Sequence, residues 1–323
     1  MNRTIKLLGA VALAALSVHS LPSFSQAWPQ RPVRFVLPLG PGAGADISAR
    51  LYSEQLAKRW GRPVLVENRP GGDGVIAINA VITARDDHTL LWGPASSFVG
   101  HPYTLDKIPY DTRELLPVAR VSNTVVSLAV PVSLNVGSLK EFMALARERP
   151  GKFNWSSVTT VTDIVMEGFF KNAGMDVAKV SYKDGVAALN DIVEGRIQLY
   201  SSAYAIVRSQ AQGGRLKLLA VMNRSRAPGL DLPTVAEAGF PGLNFDGLVG
   251  LVASRSSAPP DEARARIAAD VASISTDPVV IERLTATAQI VSPGNGAEFA
   301  ASIAEQSAQL AATAKILGIK PRQ

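Results

Sequence analysis

One stretch constrains this chain more than any other: VRFVLPLGPGAGAD, Val33 to Asp46. Val33 to Leu37 reads as a buried strand. A run of glycine, proline and alanine follows, and helical spacing of apolar residues begins near Asp46. Gly40, Gly42 and Gly44 keep side-chain bulk away from the turn, so a ligand can approach the main chain closely. The first N–H groups of the helix have no partner inside it and carry the positive end of its dipole. Strand, bare loop and helix N-terminus together suit an anion, either a carboxylate or a phosphate.

The same rhythm recurs. Val64 to Val66 leads into Arg69-Pro70-Gly71-Gly72-Asp73-Gly74 and a helix over 75–84. Thr89 to Trp92 leads into Gly93-Pro94-Ala95-Ser96-Ser97. Strands that alternate with helices in this way predict parallel pairing, with ligands at the carboxyl ends of the strands. A strand at 125–130 leads out of this unit. A second series starts at Ser138 and Glu141, a capping box for the helix over 139–149. Its strands are expected at 153–155, 179–182, 198–200 and 216–221. Leu248 to Val252 reads as a return strand, and three helices close the chain. Two connections between two α/β units predict a hinge with a cleft beside it.

The ends and the composition exclude much else. Arg3 and Lys6 precede the apolar run Leu7 to Leu21 and the small-x-small triplet Ser25-Gln26-Ala27. This predicts an exported chain cleaved after Ala27, with Trp28 first. The absence of cysteine rules out disulfides, thiolate metal sites and cysteine nucleophiles. The formal charge of +6 falls to +4 without Arg3 and Lys6, and the remaining positive residues are scattered. That distribution argues against nucleic-acid binding. His88 and His101 lack zinc-ligand spacing, and no G-x-S-x-G elbow is present. No metal and no cofactor are expected, and the chain is read as a monomer and not as an enzyme. One rival stands: GPGAGA, Gly40 to Ala45, fits the G-x-G-x-x-A pattern, and Glu67 ends the next strand. That would make an NAD(P)-dependent oxidoreductase. Against it, Pro38 and Pro41 remove two backbone donors from the turn.

Beyond single loops, a series of motifs runs through the chain. They are WPQRPVRFVLPLGPGAGADISAR, VLVENRPGGDG, HTLLWG, IPYD, ERPGKFNWSS, VSYKDG, GGRLKLLAV and LPTVAEAGFPG. In order and spacing they resemble the periplasmic solute receptors of tripartite tricarboxylate transporters, the Bug-type receptors. The resemblance implies a type II periplasmic-binding-protein fold of two α/β lobes with a two-strand hinge. The lobes are expected at residues 28–127 with 250–323, and at 128–249. It implies a periplasmic receptor that holds a small organic anion, a carboxylate, between the lobes and delivers it to membrane permease subunits. Service as a sensor co-receptor without a permease is the other use of such a fold. Carried onto this sequence, the first-lobe site is Leu39, Gly40, Pro41, Gly42, Ala43 and Gly44, with Asp46 at the helix start, and Ala95, Ser96 and Ser97. The second lobe would add Ser156, Ser157, the turn at Lys183 and Asp184, Ser201 and Ser202. Asp184 would partner an amine if the ligand carries one beside its carboxylate. Thr159 and Thr160 either contact ligand or cap the next helix, and Tyr204 lines either cleft or core.

Overall fold

The computed structural model describes residues 28–157, 159–182 and 185–322. The expected leader and Asp184 lie outside the described residues. The first sheet holds β1 (Val33–Leu37), β2 (Val64–Asn68), β3 (Thr89–Pro94), β4 (Leu115–Thr124), β10 (Gly247–Ser254) and β11 (Gln289–Asn295), in the order β11-β4-β10-β3-β1-β2. The second holds β5 (Val126–Pro131), β6 (Phe153–Ser157), β7 (Val177–Lys179), β8 (Leu199–Ala203) and β9 (Leu216–Val221), in the order β7-β6-β8-β5-β9. In each sheet three strands pair in parallel, as the βα rhythm predicts: β2, β1 and β3, and β7, β6 and β8. β10 pairs antiparallel with β3 and β5 antiparallel with β8, and β4 and β9 pair antiparallel with β10 and β5, so both sheets are mixed.

Two strands were illegible in the sequence, and proline is the reason. A proline inside an apolar run demotes it, because it cannot donate to the ladder. Yet Pro117 sits inside β4, where the pairing with β10 shifts register between Leu251 and Val252. Pro293 sits on the edge strand β11, at another register shift. The lobe boundaries expected at 127/128 and 249/250 fall inside β5 and β10. The chain instead changes sheets at Val125 and returns between Val221 and Gly247. The uninterrupted run from Val125 to Val130 has no turn residue to announce the change. Asn223 ties the two passages together: its Oδ1 accepts from the Val126 N–H at 2.9 Å, and its Nδ2 donates to the Thr124 carbonyl at 2.9 Å.

The helices are α1 (Gly44–Trp60), α2 (Val75–Ala84), α3 (Ser96–Val99), α4 (His101–Thr104), α5 (Leu139–Glu148), α6 (Thr160–Asn172), α7 (Gly185–Val193), α8 (Tyr204–Gln212), α9 (Asp261–Ile274), α10 (Pro278–Ala286) and α11 (Gly296–Leu317). Tyr52 of α1 packs against Trp92, which in turn stacks with Phe35, and the Tyr52 hydroxyl meets Ser275 Oγ at 2.6 Å. A second apolar cluster runs through both lobes, joining Phe98 and Val99 to Val161, Ile164 and Val165. Helix α11 belongs to the first lobe by its Phe299, which lies over Gly250. Further along, its Thr313 lies against Gly168 of α6, so this one helix packs on both lobes. No helix among the described residues is long and apolar enough to cross a membrane.

Candidate functional site

The three parallel strands of the first lobe deliver three turns to one place. A side chain at Gly74, after β2, would sit 2.8 Å from Ser97 Cβ, after β3, and 3.5 Å from Pro38 Cβ, after β1. Glycine is required there, since φ is +96° and the gap is closed.

The first loop is built around Asp46. Gly42 donates its N–H to Asp46 Oδ2 at 2.9 Å. Arg50 donates to both carboxylate oxygens, at 3.1 and 2.9 Å. Asn68 Nδ2 donates to Asp46 Oδ1 at 2.8 Å and to the Leu39 carbonyl at 2.9 Å. Burial alone would raise the carboxyl, but the bonds from Arg50, Gly42 and Asn68 outweigh it and hold the pKa below its ordinary value. Asp46 is 2% exposed, so it shapes the loop from inside. The Gly42 amide, a prime candidate donor on sequence grounds, is committed to Asp46. The N–H groups of Leu39, Gly40, Gly44 and Ala45 have no hydrogen-bond partner among the described residues. Pro41 is exposed and Ala43 stands at the N-cap of α1, with no side chain to compete for those donors.

In the third turn, Ala95 is buried, and its N–H donates to the Leu248 carbonyl at 2.8 Å. Ser96 and Ser97 open α3, yet neither hydroxyl caps it or meets any other partner among the described residues. Ser97 is nearly buried and Ser96 is half-buried.

The second lobe is more self-contained. Ser157 Oγ donates to Asp163 Oδ1 at 2.6 Å and lies 2.9 Å from Thr162 Oγ1. Lys179 Nζ pairs with the other oxygen of Asp163, also at 2.6 Å. Thr159 caps α6 in a reciprocal box with Thr162, so its hydroxyl serves the helix. Thr160 is half-buried at the first position of α6. Ser156 is fully buried, and its hydroxyl has no partner among the described residues. Ser201 Oγ donates to Met222 Sδ at 3.1 Å, and Ser202 Oγ makes only a long 3.4 Å bond to the Ala203 carbonyl. Both are fully buried. The Tyr204 ring is half-buried and packs against two apolar clusters flanking β5 and β9. The lobes meet where Gly100, between α3 and α4, faces Val161 in the first turn of α6: a side chain at Gly100 would sit 2.7 Å from Val161 Cγ2.

Sequence reasoning passed over Asn68, Arg50, Gly74 and His101 as parts of this region. The GGDG turn was its visible signal. Gly71, Gly72, Asp73 and Gly74 all have positive φ, between +54° and +117°. His101 is fully buried and joined to the Asp73 carbonyl. Glu67, the ribose ligand of the oxidoreductase reading, is paired with Arg69 at 2.6 Å. Among the described residues, one group could hold a metal ion: Asp86, Asp87 and His88. Protein groups already hold it. His88 Nδ1 lies 2.6 Å from Asp87, His88 Nε2 accepts from the Gln30 N–H, and Arg31 sits 3.5 Å from both carboxylates.

Residues 48–319 match the model of the tripartite tricarboxylate transporter family receptor. A UPF0065 protein of Bordetella bronchiseptica is 31% identical over 318 residues, covering 98% of this chain and 93% of that one. Among solved structures, a periplasmic transporter superposes with a TM-score of 0.77 at 30% identity, covering 91% of this chain and 99% of that one. The structure of R. palustris Rpa4515 with adipate superposes with a TM-score of 0.78 at 26% identity, covering 91% of this chain and 100% of that one. None of these matches supports a nicotinamide-dependent oxidoreductase. The two mixed α/β sheets are those of a periplasmic-binding-protein fold, and the chain belongs to the receptor family of tripartite tricarboxylate transporters, the Bug type.

Proposed function

We propose that this receptor captures a small carboxylate in the cleft between its two sheets and delivers it to membrane permease subunits. One observation carries the proposal: the three first-lobe turns converge with donors that have no partner among the described residues. These are the amides of Leu39, Gly40, Gly44 and Ala45 and the hydroxyls of Ser96 and Ser97. Helix termini and oriented amides stabilise a carboxylate without a paired arginine. A relative described with adipate supports a carboxylate as the ligand class. The two sheets with their helices would be the moving bodies, hinged at Val125 and between Val221 and Gly247, and Thr160 at the start of α6 would close on the far end of the ligand. The receptor works in the periplasm as a monomer after cleavage behind Ala27, and binds rather than transforms its ligand. A thermal-shift screen of mono-, di- and tricarboxylates, adipate included, tests this. Binding to the folded state alone raises the melting temperature, by RT ln(1 + [L]/Kd) in free energy. At least one carboxylate should do so at micromolar to millimolar concentration. A response to nicotinamide dinucleotides with none to carboxylates would overturn the reading.

A further inference from the structure

We infer that His101 is a positioning residue of the cleft: it holds the second glycine turn against the third, so that Gly74 and Ser97 are presented as one surface. His101 is fully buried at the first position of α4. Its Nε2 lies 2.9 Å from the Asp73 carbonyl and its Nδ1 lies 2.6 Å from the Tyr110 hydroxyl. A carbonyl only accepts, so Nε2 carries the proton and Nδ1 accepts from Tyr110. The turn it grips needs a grip. Four successive residues with positive φ include the non-glycine Asp73 at +54°, a region that side chains rarely occupy. Gly74 of that turn has no room for a side chain beneath Ser97. The residue before the histidine, Gly100, faces Val161 of the other lobe with no room for a side chain between them. One imidazole therefore joins the second turn, the third turn and the contact between lobes. Two titratable groups face it, Asp73 and Tyr110. Tyr110 is held above its ordinary pKa by burial first and by the charge of Asp73 second, which keeps on it the proton that Nδ1 accepts.

The positioning role rests on the carboxylate reading, and the test separates the two. Glutamine can place its amide nitrogen where Nε2 stands, whereas asparagine reaches only the place of Nδ1. The full mature chain is compared with His101→Gln and His101→Asn. Nitrogen-15 spectra of the imidazole should show the Nε2–H tautomer. Hydrogen exchange over residues 69–76 should stay near wild type in His101→Gln and speed up about tenfold in His101→Asn. Adipate affinity should follow the same order, near wild type in the first and about tenfold weaker in the second. An Nδ1–H tautomer, equal behaviour of the two variants, or faster exchange with unchanged affinity would each overturn the assignment. Failure of wild type to bind adipate would count against adipate as ligand instead, with the tautomer and exchange results still judging His101.

Discussion

Asp46 stands in the first turn of α1, where sequence alone makes a carboxylate a partner for the helix dipole. Its side chain does more, closing the loop through Gly42, Arg50 and Asn68. Asp46→Ala strands those donors, and the expected loss is about 2–4 kcal/mol in urea melts at neutral pH. The pH dependence has a definite sign. The native pKa is depressed, so the stabilisation is present above the unfolded-state value of about 3.9 and is lost as pH falls through the native one. Asp46→Asn removes that titration, and its stability should fall less steeply than wild type below about pH 4. A parallel decline in both proteins would show that Asp46 does not contribute. The role in the dipole was legible because i, i+1 and i+4 neighbours are local. Asn68, 22 residues away along the chain, was not.

At the scale of elements, the turns after β1, β2 and β3 behave as one unit, and the start of α6 as another. In the second unit Thr159 and Thr162 cap the helix, while Ser157, Asp163 and Lys179 form a chain beside it. Thr159→Ala should cost about 1 kcal/mol, the usual value of an N-cap. Because Thr159 serves the helix, carboxylate affinity measured by calorimetry should change less than it does when Ser97 is replaced by a bulky residue. An equal loss of affinity would place Thr159 in the site after all. The caps at Ser138 and at Thr159 could be read from the sequence, since an N-cap and its partner are three residues apart. The strands β4 and β11 could not, because only their partners supply the bulges that make room for Pro117 and Pro293.

At the scale of the molecule, α11 packs on both lobes. Gly168 lets Thr313 approach α6, where a larger side chain would collide with it. Gly168→Leu should act as a wedge, costing about 1–3 kcal/mol as overpacking does. It should also enlarge the radius of gyration in small-angle scattering if that seam sets the spacing of the lobes. Loss of stability with an unchanged radius would mean that the seam only packs. In wild type, ligand-induced closure requires tighter contacts in the closed state than in the open one. The Gly100–Val161 contact is the first place to look for that difference.

By itself the sequence determined the βα rhythm, the places of the two glycine-rich turns and the serine turn after β3, and the motif series that marks the receptor family. Each rests on spacings of two to four residues or on short runs, which neighbouring side chains and backbone sterics govern. Tertiary structure decided which polar groups are left for a ligand. The Gly42 amide donates to Asp46, the Ser157 hydroxyl to Asp163 and the Ser201 hydroxyl to Met222, while those of Ser96 and Ser97 have no partner among the described residues. A hydrogen bond goes to whichever partner comes within about 3 Å. That partner can be a segment far along the chain, and only folding brings it there.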